Sequence, residues 1–123
     1  MRALVIDDSK AMRSILAKFL RELGFETSDA VNGRHALEQL RCIETPDLAL
    51  VDWNMPEMNG LEFVQAVRSQ PKYDQVALMM VTTETDMERV AAALEAGANE
   101  YVMKPFTKEI ILEKLQLLGM TRY

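Results

Sequence analysis

Leu48-Ala49-Leu50-Val51-Asp52-Trp53-Asn54-Met55-Pro56-Glu57-Met58-Asn59-Gly60 is the stretch that decides the fold of this chain. Four apolar residues with no polar interruption suit a strand buried on both faces, as in the centre of a parallel sheet. The run stops on a carboxylate. A loop containing Pro56 and closing on Asn59-Gly60 then leads into a helix expected to turn Leu61, Val64 and Val67 inward. Two further runs repeat the design. Ala3-Leu4-Val5-Ile6 stops at Asp7-Asp8, and Tyr101-Val102-Met103 stops at Lys104-Pro105. In open α/β sheets ligands bind beyond the carboxyl ends of the strands. Three acids and a lysine are therefore delivered to the one crevice where chemistry is expected.

The segments between these runs have helical period. Met12, Ile15, Leu16, Phe19, Leu20 and Leu23 share one face, and Gly24 stands where a helix-terminating glycine belongs. Phe25 to Val31 has the length of a strand but carries Glu26, Thr27, Ser28 and Asp29, which places it at a sheet edge. Asn32-Gly33 opens a second helix with Ala36, Leu37, Leu40 and Ile43, ended by Pro46. A fourth strand, Val76 to Val81, ends at Thr82-Thr83. Thr85 and Glu88 form a capping box for a helix that Gly97 closes, and Thr107 caps a last helix with Ile111, Leu115 and Leu118 inward. Five strands alternating with five helices give an α/β fold with a doubly wound parallel sheet. Residues 1–123 are read as a single domain, with the last helix running almost to Tyr123 and no output domain.

Composition excludes several functions. The net charge of −5, without a basic cluster, argues against nucleic-acid binding. No apolar run approaches the roughly 20 residues of a membrane span, and Met1-Arg2 followed by a strand is not a signal peptide. The single cysteine, Cys42, fits a reducing cytoplasm and reads as a semi-buried helix residue. The only histidine, His35, reads as a solvent-facing residue of the second helix.

The acids pose an electrostatic problem. Two carboxylates about 5 Å apart repel by roughly 3 kcal/mol at an effective dielectric near 20. A hard divalent cation relieves this, and oxygen ligands without histidine or thiolate favour Mg²⁺. The remaining groups suit a phosphoryl transfer. Asp52, alone at the end of the middle strand, is the candidate nucleophile, and Asp7 and Asp8 together are the candidate metal ligands. Lys104 and the hydroxyl of Thr82 are placed to meet phosphoryl oxygens.

Asp7-Asp8, the Asp52 to Gly60 stretch, Val81-Thr82, and Gly97 to Phe106 resemble, together and in this order, the receiver domain of response regulators. The resemblance covers nearly the whole chain and is strongest to stand-alone chemotaxis members. It implies a flavodoxin-like (βα)5 fold with strand order 2-1-3-4-5. It implies that a histidine kinase phosphorylates Asp52, with self-directed transfer and dephosphorylation rather than turnover of a substrate. It implies Mg²⁺ held by Asp8, Asp52 and the backbone carbonyl of Asn54, with Asp7 acting through water. Thr82 would move inward and Tyr101 follow, altering a surface of the fourth helix, fifth strand and last helix in a cytoplasmic monomer. It further implies a cis Lys104-Pro105 bond. Asn54 and Glu84 occupy lifetime-tuning positions and match the chemotaxis members, which predicts fast dephosphorylation. Thr83 departs from the usual small residue there, and its methyl would narrow access.

The fourth helix also departs. Asp86 and Met87 stand where those members carry paired lysines, and with Glu84, Glu88 and Glu95 the face is acidic, relieved mainly by Arg89. Such a face reads either as a solvated helix surface or as a partner surface of different electrostatics. Val90, Tyr101, Ile110 and Leu117 are the candidate docking residues, and Trp53, read as partly exposed, is a candidate fluorescence reporter. Other chemistries fit less well. A Mg²⁺-dependent phosphohydrolase of the haloacid dehalogenase type carries Asp-x-Asp after its first strand and needs a substrate-covering cap. A flavin carrier needs a neutral phosphate loop where this chain has Asp7-Asp8. A receiver that binds partners without phosphorylation would not need the full set of site residues. A phosphate sink or relay intermediate would use the same residues and differ only in its partner.

Overall fold

The computed structural model describes residues 1–83 and 87–120. Five parallel strands, β1 (Arg2–Ile6), β2 (Glu26–Ala30), β3 (Leu48–Asp52), β4 (Ala77–Thr82) and β5 (Glu100–Met103), lie in the order β2-β1-β3-β4-β5. The helices are α1 (Lys10–Glu22), α2 (Gly33–Cys42), α3 (Gly60–Arg68), α4 (Met87–Ala96) and α5 (Lys108–Leu117). This is the flavodoxin-like arrangement expected from the resemblance. The polar β2 is indeed an edge strand, paired only with β1, where Glu26, Ser28 and Asp29 reach water.

Two apolar clusters sandwich the sheet. Leu4, Ile6, Ala49, Val51, Leu78 and Met80 face one, with Phe63, Val64 and Val67 of α3. Ala3, Val5, Leu48, Leu50, Met79 and Val81 face the other, with Leu16, Leu20, Ile111 and Leu115 of α1 and α5. Alternation along β3 thus feeds both layers, and every residue of that strand is buried.

Local chemistry sets the boundaries. Ser9, Asn32, Asn59 and Thr107 cap α1, α2, α3 and α5, each accepting an N–H three residues on. Asn59 and Glu62 complete a reciprocal capping box. Gly24 ends α1 at φ 97° and Gly97 ends α4 at φ 121°, left-handed conformations that a side chain would strain. Thr85 of the expected α4 capping box lies outside the described residues, as do Glu84 and Asp86.

The structure corrects several expectations. Ile15 is exposed because Ala17 and Leu20 carry the inner face of α1. Leu61 packs half-buried against the core as expected, and Phe63 joins Val64 and Val67 as a fully buried residue of α3. The last helix ends at Leu117, closed by hydrogen bonds from Gly119 N–H to Gln116 O and Met120 N–H to Leu115 O. A 3-10 turn at Pro71–Tyr73, absent from the sequence reading, buries Tyr73 and sends its hydroxyl to Leu40 O at 3.2 Å. Cys42 is exposed. His35 is half-buried and does structural work: its Nδ1 accepts the Val31 N–H at 3.1 Å, closing the β2–α2 turn.

Candidate functional site

Because all five strands run parallel, their carboxyl ends share one edge. Asp7 follows β1, and Asp52 and Thr82 are the last residues of β3 and β4. Lys104 follows β5. The chain leaves β1 toward β2 on one side and returns to β3 on the other, so Asp7 and Asp52 flank the switch point of the sheet.

Carboxylate oxygens of Asp7, Asp8 and Asp52 lie within 4.8 Å of one another. Asp7 is 1% exposed and Asp52 4%, whereas Asp8 is open to solvent. Lys104 Nζ stands 3.3 Å from Asp52 Oδ1 and 3.5 Å from Asp7 Oδ2. One ammonium therefore answers two buried carboxylates, and the cluster keeps an excess of negative charge. Burial first, then the charge of Asp7, pushes the Asp52 carboxyl up from its ordinary value, against the pull of Lys104 and the Asn54 N–H. An all-oxygen donor set with excess negative charge and one open acid matches a hard divalent cation.

The flanking backbone fixes this geometry. The Ser9 N–H binds Asp7 Oδ1 at 2.8 Å, and Lys104 N–H binds Thr82 O at 2.7 Å, tying the ends of β4 and β5. The Lys104–Pro105 bond is cis, as the resemblance implied. Gly60 lets α3 start against β3, because a Cβ there would lie 2.9 Å from Asp52 O and 3.0 Å from Trp53 Cα. An open cleft of about 830 Å³ adjoins the acids, lined among others by Asp8, Trp53, Asn54, Pro56, Asn59 and Arg89. Thr82 and Tyr101 line one small apolar cavity beside α4, together with Met80, Val90, Ala93 and Leu94.

The model of the response regulator receiver domain family matches residues 3–116. The chain belongs to this family. The receiver is 42% identical over 119 residues to Chemotaxis protein CheY1 of Helicobacter pylori, covering 96% of both chains. It is 44% identical over 117 residues to a Chemotaxis protein CheY homolog of Campylobacter jejuni, covering 94% of this chain and 90% of that one. The solved structure of chemotaxis response regulator CheY4 of Vibrio cholerae matches with a TM-score of 0.88 at 37% identity, over 95% of this chain and 97% of the other. The family places the receiver in two-component signalling, and its curated relatives are single-domain chemotaxis response regulators.

Within the receiver, Asp7, Asp8, Asp52 and Lys104 meet directly, and Thr82 shares a cavity with Tyr101. Asn54 and Thr83 are exposed, and Glu84 lies outside the described residues. The docking set needs correction. Val90 is 6% exposed, because Val90 and Ala93 form the inner face of α4, a spacing visible in the sequence. Ile110 and Leu117 are exposed, Tyr101 is half-buried, and Leu94 and Met103 are exposed apolar residues that the sequence reading passed over. Trp53, expected to be partly exposed, is buried at 7% exposure and lines the cleft. Sequence reasoning also missed Ser9, whose hydroxyl caps α1 and whose backbone N–H clamps Asp7; Ser ahead of a helical run signals the cap alone. It missed Glu57, whose φ of 67° closes a tight turn with Met58 N–H on Pro56 O. No residue-type signal marks that turn. Among the described residues no helix is long and apolar enough to cross a membrane.

Proposed function

We propose that the chain is a phosphoacceptor switch of a two-component phosphorelay, with Asp52 as acceptor, Mg²⁺ as cofactor and a protein target as listener. The observation that carries this reading is the set of three carboxylates within 4.8 Å of one another, only two of them engaged by Lys104. Asp8, exposed beside the cleft, with Asp7, Asp52 and the Asn54 carbonyl, would hold the ion. When bound, Mg²⁺ supplies positive charge that lets phosphoryl oxygens approach the acids.

The residues divide the remaining work. An Asp52 carboxylate oxygen attacks the phosphorus of a kinase phosphohistidine, the P–N bond breaks, and its electron pair leaves with the imidazole. Lys104 Nζ, already 3.3 Å from Asp52 Oδ1, moves from balancing two carboxylates to balancing the phosphoryl group. The Thr82 hydroxyl turns toward that group, and the space it leaves in the shared cavity lets Tyr101 move inward. That rearrangement changes the surface of α4, β5 and α5, where Ile110 and Leu117 present apolar side chains. Asn54 and Thr83, both exposed, would control access of the hydrolytic water together with Glu84. The names of the relatives favour chemotaxis as the process served. The protein would work as a single cytoplasmic domain whose only chemistry is on itself.

Incubating wild type and Asp52→Asn with acetyl phosphate and Mg²⁺ tests the assignment. Labelling of the wild type alone is expected, and equal labelling of both proteins would overturn Asp52 as acceptor. Titration with Mg²⁺ should change Trp53 fluorescence in the wild type.

A further inference from the structure

Asp8 is the open acid of the cluster, and among the described residues its carboxylate makes no hydrogen bond. Its direction is therefore inherited from the backbone on either side, and Arg13 meets both flanks, one through its side chain and the other through its backbone. Arg13 of α1 donates from Nη1 to the Asp7 carbonyl at 2.8 Å. Its backbone N–H reaches Ser9 O at 3.0 Å. A second edge of the guanidinium is anchored, with Nε at 3.0 Å from Asp29 Oδ2 on β2. The Arg13 side chain is 13% exposed, against 60% for Asp29, so the fork is packed between helix and edge strand rather than waving in water.

We propose that Arg13 is a positioning residue for the metal site, holding the Asp7-Asp8-Ser9 segment so that Asp8 faces the cleft. This rests on the reading of Asp7, Asp8 and Asp52 as Mg²⁺ ligands. Two physical effects of Arg13 oppose each other. As a cation near three acids, it lowers the local negative potential and weakens attraction of Mg²⁺. As a fork bridging Asp7 O and Asp29, it spares the ion the entropy of ordering the segment. Near the metal the geometric effect wins, because the guanidinium touches a carbonyl one residue from the ligand whereas its charge is already paired with Asp29. Groups that orient metal ligands typically govern affinity by about 10–100-fold.

The two effects predict opposite signs. Mg²⁺ titration followed by Trp53 fluorescence should show a Kd raised about tenfold in Arg13→Ala. Arg13→Lys should be raised similarly, because a point ammonium cannot bridge both acceptors. In the metal-free proteins, amide exchange at Ser9, whose N–H holds Asp7 Oδ1, should be faster in both variants. Urea unfolding of each variant controls for folding, and Arg13→Lys retains the charge and stem if Arg13→Ala does not fold. A Kd unchanged or tighter in Arg13→Ala, or wild-type affinity restored by Arg13→Lys, would overturn the role of Arg13 alone. Absence of any Mg²⁺ response in the wild type would overturn the metal reading and this proposal with it. Ser9 exchange, measured without metal, keeps the two failures distinguishable.

Discussion

Replacing Asp52 by Asn removes one charge from a crevice that holds three. Carboxylate oxygens of Asp7 and Asp8 lie within 4.8 Å of its own. At an effective dielectric near 20, a repulsion at that distance is worth about 3.5 kcal/mol, and solvent screens the exposed Asp8 to roughly half of it. Lys104 at 3.3 Å returns about 5 kcal/mol on the same footing. The charge–charge interactions nearly cancel, leaving the cost of keeping a carboxylate that is 4% exposed out of water. That agrees with burial as the leading cause of its raised pKa. In metal-free buffer at pH 7, Asp52→Asn should therefore be more stable than wild type by about 1–2 kcal/mol.

The pH dependence follows from the direction of the shift. A raised folded-state pKa means that folding favours the protonated acid. Below the ordinary unfolded value, near 4, wild type and variant converge; as pH rises through the folded value, the wild type falls behind. Urea unfolding with EDTA between pH 4 and 8 measures the gap. Adding Mg²⁺ at a hundred times its Kd should return about 2.7 kcal/mol to the wild type and reverse the order. A wild type more stable than Asp52→Asn at pH 7 without metal would refute the reasoning, because the Lys104 contact would then outweigh desolvation.

Other perturbations have equally definite outcomes. Gly60→Ala forces a Cβ to within 3.0 Å of backbone atoms of Asp52 and Trp53; a loss of about 1–3 kcal/mol in urea unfolding is expected, with weaker Mg²⁺ binding by fluorescence titration. Arg68→Ala should cost about 2–4 kcal/mol by the same assay, since it leaves the carbonyls of Gly97, Tyr73 and Val76 without their guanidinium donor. Ile110→Ser with Leu117→Ser should change stability by less than about 0.5 kcal/mol, as both are exposed. The same pair should reduce capture of a target by the beryllofluoride form of the protein, and unchanged capture would remove them from the docking surface.

What the sequence disclosed followed from how locally each feature is written. Strand β3 was legible because burial on both faces demands an unbroken apolar run, and its last residue, Asp52, marked the crevice. Edge strand β2 was legible because Glu26, Ser28 and Asp29 are unsuited to a sheet centre. Inner and outer faces were harder. Ile15 and Ala17 compete for the core by a rotation of one helix through a fraction of a turn, and the larger residue lost. Val90 sits among charged neighbours that belong to the surface of α4, yet its spacing with Ala93 turns it inward. Arg13, Arg68 and Glu57 left no signal, because their roles depend on backbone carbonyls and on residues of other elements brought near by the fold, or on one dihedral angle.

The anchoring by Arg68 has a mechanical consequence. Its Nε holds Gly97 O at 3.0 Å, and the side chain and N–H of Asn99 lock onto Leu78 at 2.8 Å, so the carboxyl end of α4 is pinned to the start of β4. The opposite end carries Glu88 and Arg89 to the cleft. A helix of 10 residues is about 15 Å long. Clamped at its foot, it behaves as a pointer, and a 1 Å push at the crevice becomes a tilt of about 4°. In such a tilt the displacement would be greatest at Met87 and would vanish at Ala96, so the amino-terminal half of α4 would carry most of the movement.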